Sequence, residues 1–262
     1  MFNTPHKLWV GFHLLFANLK RNHHRPKRKV SKVVVFYRIC DQGYPKEKPE
    51  YITKEKCLTN ALREFPIDKV EWHILADNIN DETYIMLQKY IPKDAIKRVS
   101  IGSGAETFRM TFEEALLQDD DVLVYFLEDD YLHISHSLEY LLEAAECNYT
   151  DYLTLYDHPD KYSNQTNPYV TREGESSVVY WCGHRHWKET NSTTMTFAAF
   201  ADVLKNDKCE FWNWTSGKHP WDFVIFTDLV KTKGRRLSCP LPSCSTHGEK
   251  LYLAKGVNWE KF

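Results

Sequence analysis

The sequence predicts an α/β protein built on an open, mostly parallel, twisted sheet with helices on its faces. Strand and helix patterns alternate four times between residues 32 and 147, which is typical of sheets of this kind. The first strand pattern, KVVVFYRIC, is rich in β-branched and aromatic residues, as expected of a strand buried on both faces. The 262 residues suffice for one large domain of this class.

Each element of the first half carries its own local signals. Thr53 and Ser135 are suited to cap the first and fourth helices, and Pro66 and Pro92 end the first and second. The predicted strands cover 32–40, 69–77, 95–102 and 121–131. The predicted helices cover 53–65, 81–91, 104–118 and 135–147.

The second half, from residue 149 onward, is less regular. We expect strands within 151–158 and 176–190, helices over 193–207 and 220–234, an aromatic loop over 210–220, and a strand running into a loop over 235–249. Pro220 and Gly234 flank the last helix in their preferred positions. No linker divides residues 31–262, so we expect a single domain there, with 31–148 and 149–262 as its two halves.

Residues 1–30 form a basic and apolar arm. Residues 1–32 hold eight lysines and arginines and no acidic residue, although the net charge of the whole chain is −2. The apolar stretch LWVGFHLLFANL is shorter than the roughly 20 residues that span a bilayer. The arm therefore fits an interfacial helix at a membrane surface, or equally a first helix packed on the domain with a solvated tail.

Cysteine usage bears on the compartment. The seven cysteines are odd in number and contain no C-x-x-C pair, and no secretory signal precedes them. Reduced, buried thiols in a reducing compartment fit this pattern best. We expect a cytoplasmic protein, either free or peripheral at the inner face of the membrane.

The predicted strand ends carry polar residues. In parallel sheets ligands bind beyond the carboxyl ends of the strands, and four segments fall there: 38–41, 77–81, 102–104 and 128–130. The last of these, in VLVYFLEDDYLH, places Glu128, Asp129 and Asp130 directly after an apolar run. Clustered carboxylates ionise together when a cation offsets their repulsion.

Oxygen ligands with open positions suit Mg²⁺ or Mn²⁺, so the acidic strand end predicts a divalent metal site. On an extended backbone Glu128 and Asp130 face one way and Asp129 the other. The alternative is a strand end that meets solvent, with one carboxylate capping the next helix.

FLEDDY at the end of the fourth strand resembles the DxD-type motif of GT-A-fold glycosyltransferases, and other segments match in order. FYRICD resembles their nucleotide-entry loop, LADN their base-contacting strand end, GSGAETFRMTFEEAL the helix before the metal motif, and LPSCSTHGE a late loop with a metal-binding histidine. The resemblance covers most of 31–250 and is closest to small sugar transferases of bacteria and large viruses. The first motif position is Glu128 rather than Asp, which leaves its direct contact with the metal open.

The resemblance implies a fold with a Rossmann-like nucleotide-sugar half, 31–148, and an acceptor half, 149–262. It implies transfer of a sugar from a nucleotide-diphosphate donor, most commonly a UDP-sugar, to a glycan or lipid-linked acceptor. The implied cofactor is Mn²⁺ or Mg²⁺, with metal ligands Glu128, Asp130 and His247. The implied donor-binding residues are Arg38, Asp41, Asp77, Arg109 and Asp129.

An inverting transfer also needs a base that deprotonates the acceptor hydroxyl. Asp222 in HPWDFVIF is the first candidate, because it lies in the first turn of a helix after an aromatic loop suited to stacking on a sugar. Asp222 could instead only stabilise its own helix dipole. Asp157 in LYDHPD is the second candidate.

Two rival functions remain. A nucleotidyltransferase on a related sheet usually has a Gly-rich loop with a basic residue after the first strand, and YRICDQGYPK lacks the glycine cluster. A non-catalytic protein that binds sugar or nucleic acid through the arm would leave the acidic triplet and His247 unexplained, so we expect no nucleic-acid partner. His184 and His186 in WCGHRHW are expected at an exposed hairpin edge rather than on a metal.

Overall fold

The computed structural model describes residues 25–43, 45–163, 167, 170 and 174–262. Its centre is a nine-stranded sheet with the order β3-β2-β1-β4-β9-β6-β10-β8-β7, beside a two-stranded ladder of β11 and β5. The strands are β1 Lys32–Cys40, β2 Glu71–Asp77, β3 Ile96–Val99, β4 Val122–Glu128, β5 Tyr131–His133, β6 Tyr152–Leu153, β7 Val179–Cys182, β8 Arg185–Thr190, β9 Phe197–Phe200, β10 Leu237–Leu241 and β11 Ser245–His247.

Seven α-helices flank this sheet in the described part of the chain. They are α1 Lys54–Glu64, α2 Asp81–Gln88, α3 Gly104–Ala115, α4 Ser137–Cys147, α5 Ala201–Asn206, α6 Lys208–Asn213 and α7 Asp222–Lys233. The predicted cap Thr53 accepts a hydrogen bond from the Lys56 N–H. Ser103 caps α3 in the same way through the Glu106 N–H.

The first half of the sheet is parallel, as the alternating pattern predicted. β1 pairs in parallel with β2 and with β4, and β2 pairs in parallel with β3. The carboxyl ends of β1, β2 and β4 therefore meet at one edge of the sheet, as the strand-end argument required. The second half is mixed, since β9 runs antiparallel to both β4 and β6.

The predicted helix over 193–207 is wrong in its first half. Phe197–Phe200 is the strand β9, and only Ala201–Asn206 is helical. β9 is buried at every residue and fills the place between β4 and β6. An apolar run buried on both faces has no strand periodicity, so its helix-compatible spacing was misleading.

Other boundaries moved as well. The predicted aromatic loop over 210–220 begins inside α6, and the predicted fourth strand ends at Glu128, with Asp129 and Asp130 in a turn. The predicted strand segment 176–190 is a hairpin of β7 and β8 at the edge of the sheet. The prediction of a hairpin edge at His184 and His186 is confirmed.

An aromatic cluster joins the two halves beneath the sheet. Phe112 of α3 stacks on Phe126 of β4 with ring centroids 5.8 Å apart, and Phe211 of α6 lies 4.7 Å from Phe112. Phe197 of β9 closes the cluster, 5.1 Å from Phe126. These rings are buried, so they anchor α3, whose amino-terminal end faces the carboxyl ends of the strands.

The described end of the basic arm lies against the domain. Arg25 pairs with Asp151 at 2.7 Å, and Arg28 pairs with Asp202 at 2.8 Å. Residues 1–24, on which the membrane-surface prediction chiefly rests, lie outside the described residues. Within the described residues, no helix has the length and apolar character needed to cross a bilayer.

Candidate active site

A crevice of about 420 Å³ opens at the carboxyl ends of β1, β2 and β4, in front of the amino-terminal end of α3. The acidic triplet lies on its wall, together with basic side chains from several loops. Its basic lining residues are Arg38, Lys46, Lys48, Lys54, Lys218 and His219. A pocket with this many cations beside a helix amino terminus suits an anionic ligand such as a diphosphate.

The three carboxylates of the triplet reach three different sets of partners. Glu128, the last residue of β4, accepts a hydrogen bond from Arg38 at 2.8 Å. Asp129 accepts the Cys40 N–H at 3.2 Å. Asp130 contacts Lys46 and Lys48. The alternation expected of an extended strand does not apply, because the turn after Glu128 redirects the chain.

Asp130 is the most heavily compensated carboxylate of the crevice. Its Oδ2 atom lies 2.9 Å from Lys46 Nζ, 3.1 Å from Lys48 Nζ and 3.4 Å from His247 Nε2. Burial by itself raises the pKa of Asp130, but His247 and the two lysines outweigh burial and hold the pKa well below its ordinary value. Burial and the charge of Asp130 raise the pKa of the neighbouring Asp129.

The short β5–β11 ladder brings His247 to Asp130. Across that ladder His247 is paired with Tyr131, and Tyr131 directly follows Asp130 in the chain. Gly248 makes the close approach feasible, since a Cβ at this position would lie 2.8 Å from the Asp130 carbonyl oxygen and 2.6 Å from Ile52 Cγ2. A side chain at position 248 would therefore separate the two segments.

These residues fit a shared metal site rather than a complete protein cage. The described residues contain no cluster of three or more His, Cys, Asp or Glu side chains placed to hold a metal. Asp130 Oδ1, however, is buried and has no hydrogen-bond partner among the described residues. Mg²⁺ and similar ions often take only one or two carboxylates from the protein and the remaining ligands from substrate phosphates and water.

Asp77 and Asp41, two of the predicted donor-binding residues, line the crevice. Their carboxylates, however, accept hydrogen bonds from backbone N–H groups of neighbouring loops. Asp77 Oδ1 accepts the Ile101 N–H at 2.6 Å, and its Oδ2 accepts the Gly102 N–H at 2.9 Å. Asp41 accepts the Asn80 N–H at 2.8 Å and also pairs with Lys54. Both carboxylates therefore position the loops that lead into α2 and α3.

Arg109 is not brought to the crevice. Its guanidinium donates to Thr215 Oγ1 and to the Trp212 carbonyl oxygen, each at 2.8 Å. These bonds tie α3 to the segment after α6. The residue lies on the helix expected from the sequence, but its side chain points toward the second half of the fold.

Asp222, the first base candidate, opens α7. The pKa of Asp222 is raised to about 6, chiefly by burial and to a smaller extent by the negative charge of Glu128, while the Phe223 N–H, His158 and Lys161 act in the opposite sense. Asp222 is not itself among the residues that line the crevice, but Glu128, which is, lies close enough to influence its pKa. Trp221, directly before it, is 63% exposed, unlike the packed Trp214 of the same segment.

Asp157, the second base candidate, is already engaged. It pairs with Lys188 at 2.9 Å and accepts a hydrogen bond from the Tyr162 hydroxyl at 2.5 Å. Lys188 also pairs with Glu175 at 3.1 Å. This buried cluster lies outside the residues that line the crevice.

Lys46 and Lys48 are site residues that the sequence argument missed. They lie in the loop after β1, within YPKEKPEY, and reach Asp130 from 84 and 82 positions away. The sequence did contain a signal for them. Two lysines, spaced i and i+2, lie in the loop that follows β1, and the end of β1 was already expected to face the ligand.

The fold is of the GT-A type, as predicted. The solved structure of GalNAc-T7 with UDP, GalNAc and Mn²⁺ is similar to this chain, with a TM-score of 0.51 and 9% identity over 82% of this chain and 43% of that chain. Staphylococcus aureus TarS gives a TM-score of 0.45 and 14% identity, over 79% of this chain and 35% of TarS. At this identity the likeness establishes the fold alone.

A third solved structure is a 4-diphosphocytidyl-2C-methyl-D-erythritol synthase from Anaerococcus prevotii. Its TM-score is 0.42 and its identity 13%, over 80% of this chain and 88% of that one. The match with this chain spans less than half the length of the GalNAc-T7 and TarS chains. No protein-family model and no curated protein sequence matches the chain.

Proposed function

We propose that the protein is a metal-dependent glycosyltransferase, which moves a sugar from a nucleotide-diphosphate donor, a UDP-sugar by preference, to a glycan or lipid-linked acceptor. One observation carries the proposal: Asp130 lies on the wall of a crevice lined with cations, at the carboxyl edge of a GT-A-type sheet, and His247 contacts it at 3.4 Å. This arrangement supports a donor site because a diphosphate and its metal need both kinds of group side by side.

The basic residues of the crevice supply the diphosphate contacts. Arg38 is held by Glu128 and by the Gly104 carbonyl oxygen at 3.0 Å, so its guanidinium is oriented before any ligand arrives. Lys54 and Lys218 line the crevice from two further loops. An oriented cation loses little side-chain entropy on binding a phosphate.

Asp130 and His247 would hold the Mn²⁺ or Mg²⁺, with Glu128 at the edge of the site. A bound ion would supply neutralisation of the negative charge on the leaving nucleoside diphosphate. The residues fit this role because Asp130 Oδ1 is buried without a partner among the described residues. Asp129, in contrast, holds the β1 end through the Cys40 N–H.

Asp222 would act as the base for an inverting transfer. With a pKa of about 6, its carboxylate is ionised at neutral pH yet basic enough to accept the acceptor hydroxyl proton. The exposed Trp221 would offer a flat apolar face to the acceptor sugar beside it. Asp157 is better suited to position Tyr162 and Lys188, because both of its oxygens are already engaged.

The test is a calorimetric titration with UDP and with GDP, each with and without Mn²⁺, on the wild type and on Asp130→Ala. The proposal requires that one nucleotide bind in a manner that needs both the metal and Asp130. Asp81→Ala is the matched control, because Asp81 is an exposed carboxylate on α2 outside the crevice. No binding of either nucleotide to a folded wild type would reject the proposal.

A nucleotidyltransferase is the second candidate, and one observation favours it. Lys46 and Lys48 place basic side chains from the loop after β1 in the crevice, which is where that class carries a basic residue. The products separate the two functions. A nucleotidyltransferase releases pyrophosphate from a nucleoside triphosphate and a sugar phosphate, whereas a glycosyltransferase releases a nucleoside diphosphate from a nucleotide sugar.

We also propose a cytoplasmic location with contact between residues 1–30 and the inner membrane face. Arg25 and Arg28 are occupied by Asp151 and Asp202, so the contact would depend on Lys27, Lys29 and the residues before Arg25. Sedimentation with anionic vesicles, compared between the full chain and a chain lacking residues 1–24, tests it. Equal sedimentation of the two chains would reject a contact made by residues 1–24.

A further inference from the structure

Lys46 lies at the point where the two best metal ligands of the crevice meet. Its Nζ atom is 2.9 Å from Asp130 Oδ2 and 3.0 Å from His247 Nε2. An ammonium group within hydrogen-bond distance of both atoms occupies the position that a cation bound by both would take. Lys48 Nζ reaches the same Asp130 oxygen at 3.1 Å.

We propose, on the basis of the function proposed above, that Lys46 and Lys48 act as internal counter-ions of the metal site and become diphosphate ligands when the donor binds. A divalent ion that binds Asp130 and His247 together must displace the Lys46 ammonium from His247 Nε2, even if it takes Asp130 Oδ1, which has no hydrogen-bond partner among the described residues. The displaced lysines then face the crevice, where the diphosphate offers them new partners.

The charges of the site require this exchange. Asp130 is buried, and without a cation its charge would be uncompensated. With a divalent ion in place, two lysines on the same oxygen would add unfavourable positive charge. Both lysines remain partly solvent-accessible, with side chains 19% and 30% exposed, whereas the Asp130 side chain is 4% exposed. The two lysine side chains, rather than the buried Asp130 side chain, can therefore change position when a ligand binds.

A consequence is that metal and nucleotide bind cooperatively. Metal alone must displace the Lys46 ammonium and repels that of Lys48, with no phosphate present to offset the added charge, so it binds weakly. Nucleotide diphosphate accepts the displaced lysines and removes this cost. Coupling between two ligands is typically about 5- to 150-fold in affinity, and the two lysines would supply part of it here.

The discriminating variant is Lys46→Met, which removes the ammonium and keeps an unbranched side chain of similar length up to Cε. Mn²⁺ alone should bind about 10-fold more tightly to this variant, because the Lys46 ammonium need not be displaced, while UDP or GDP in saturating Mn²⁺ should bind about 10-fold more weakly. Free Mn²⁺ is measured by its electron paramagnetic resonance signal, and the nucleotides by calorimetry. Opposite signs for the two ligands are the signature of the exchange.

Lys56→Met is the control, because Lys56 lies on α1 outside the crevice lining and donates to the Glu260 carbonyl oxygen. It should leave both affinities unchanged. If Lys46→Met does not fold, Lys48→Met tests the same prediction with smaller shifts of the same signs. Unchanged or weaker Mn²⁺ binding by these variants, with a wild type that binds nucleotide and Mn²⁺, overturns the exchange alone. A wild type that binds neither ligand overturns the proposed function as well.

Discussion

Replacement of Asp222 by Asn is expected to stabilise the folded protein at neutral pH while it removes the proposed base. The fold holds this carboxylate where ionisation is unfavourable, so its charge costs stability. An amide has nearly the same shape and no charge. The variant should therefore be more stable and less active than the wild type, as is common where a functional site is strained.

The magnitude follows from the pKa. The pKa of Asp222 rises from 3.8 to about 6, chiefly because of burial, and a shift of about 2 units corresponds to about 3 kcal/mol. Asp222 is only half-buried, so solvent screening lowers this figure to about 2 kcal/mol, and an amide gives up about 0.3 to 1 kcal/mol of helix-dipole stabilisation. We expect a net gain of about 1 to 2 kcal/mol.

The sign of the pH dependence is fixed by the direction of the shift. Because the folded-state pKa is raised, stability is lost as the pH rises from about 3.8, where the unfolded chain ionises, to about 6. The gain from Asp222→Asn should therefore be complete above pH 6 and absent below pH 3.8.

Urea unfolding of the wild type and Asp222→Asn, at pH 7.5 and at the lowest pH at which both fold, measures this difference. Asp81→Asn is the control, since Asp81 is 86% exposed in the first turn of α2. There the helix dipole and an exposed ion pair with Arg98 both favour the charged form, and no burial opposes it, so the change should destabilise slightly at pH 7.5. A variant Asp222→Asn that is less stable at pH 7.5, or equally altered at both pH values, would refute the reasoning. For the base role, transfer activity should fall about 10²- to 10⁴-fold.

Two other substitutions probe the packing of the site. Gly248→Ala should cost about 1 to 3 kcal/mol and weaken metal-dependent nucleotide binding, because its Cβ would meet the Asp130 carbonyl oxygen at 2.8 Å; urea unfolding and calorimetry measure the two effects. Lys188→Met should cost about 3 to 5 kcal/mol in urea unfolding, because it leaves Asp157 and Glu175 without their shared buried cation.

Matched controls exist for both substitutions. A Cβ at Gly43 would meet no atom within 4 Å, so Gly43→Ala should leave stability nearly unchanged. Lys97 forms an exposed pair with Glu114, and Lys97→Met should cost less than about 1 kcal/mol. Equal losses in a variant and its control would show that the clash, or the buried cation, is not the cause.

The parallel half of the sheet was accessible from the sequence because each of its elements carries a local pattern. β1 and β4 are apolar runs of ordinary strand length, and α1 and α3 have caps and one apolar face. Their alternation implies the crevice at the strand ends without any knowledge of distant contacts. The acidic triplet was found for the same reason, because it adjoins the strand that positions it.

β9 and the counter-ions of Asp130 were decided by tertiary structure. Phe197–Phe200 forms a strand because it pairs with β4 on one side and with β6 on the other. Both partner strands come from distant parts of the chain, so the local sequence does not reveal the pairing. Arg109 was expected at the donor, but the helix rotation that the aromatic cluster imposes turns it toward Thr215. Periodicity identifies an element, whereas its neighbours set its rotation.

The sequence by itself determined which residue types stand at the end of each early strand, and hence that a polar crevice exists. Only the tertiary structure decided that Lys46 lies within hydrogen-bond distance of both Asp130 and His247, although Lys46 and His247 are 201 positions apart. Strand ends are local properties of the chain. The meeting of three loops depends on the β5–β11 ladder and on the space left by Gly248, which are properties of packing.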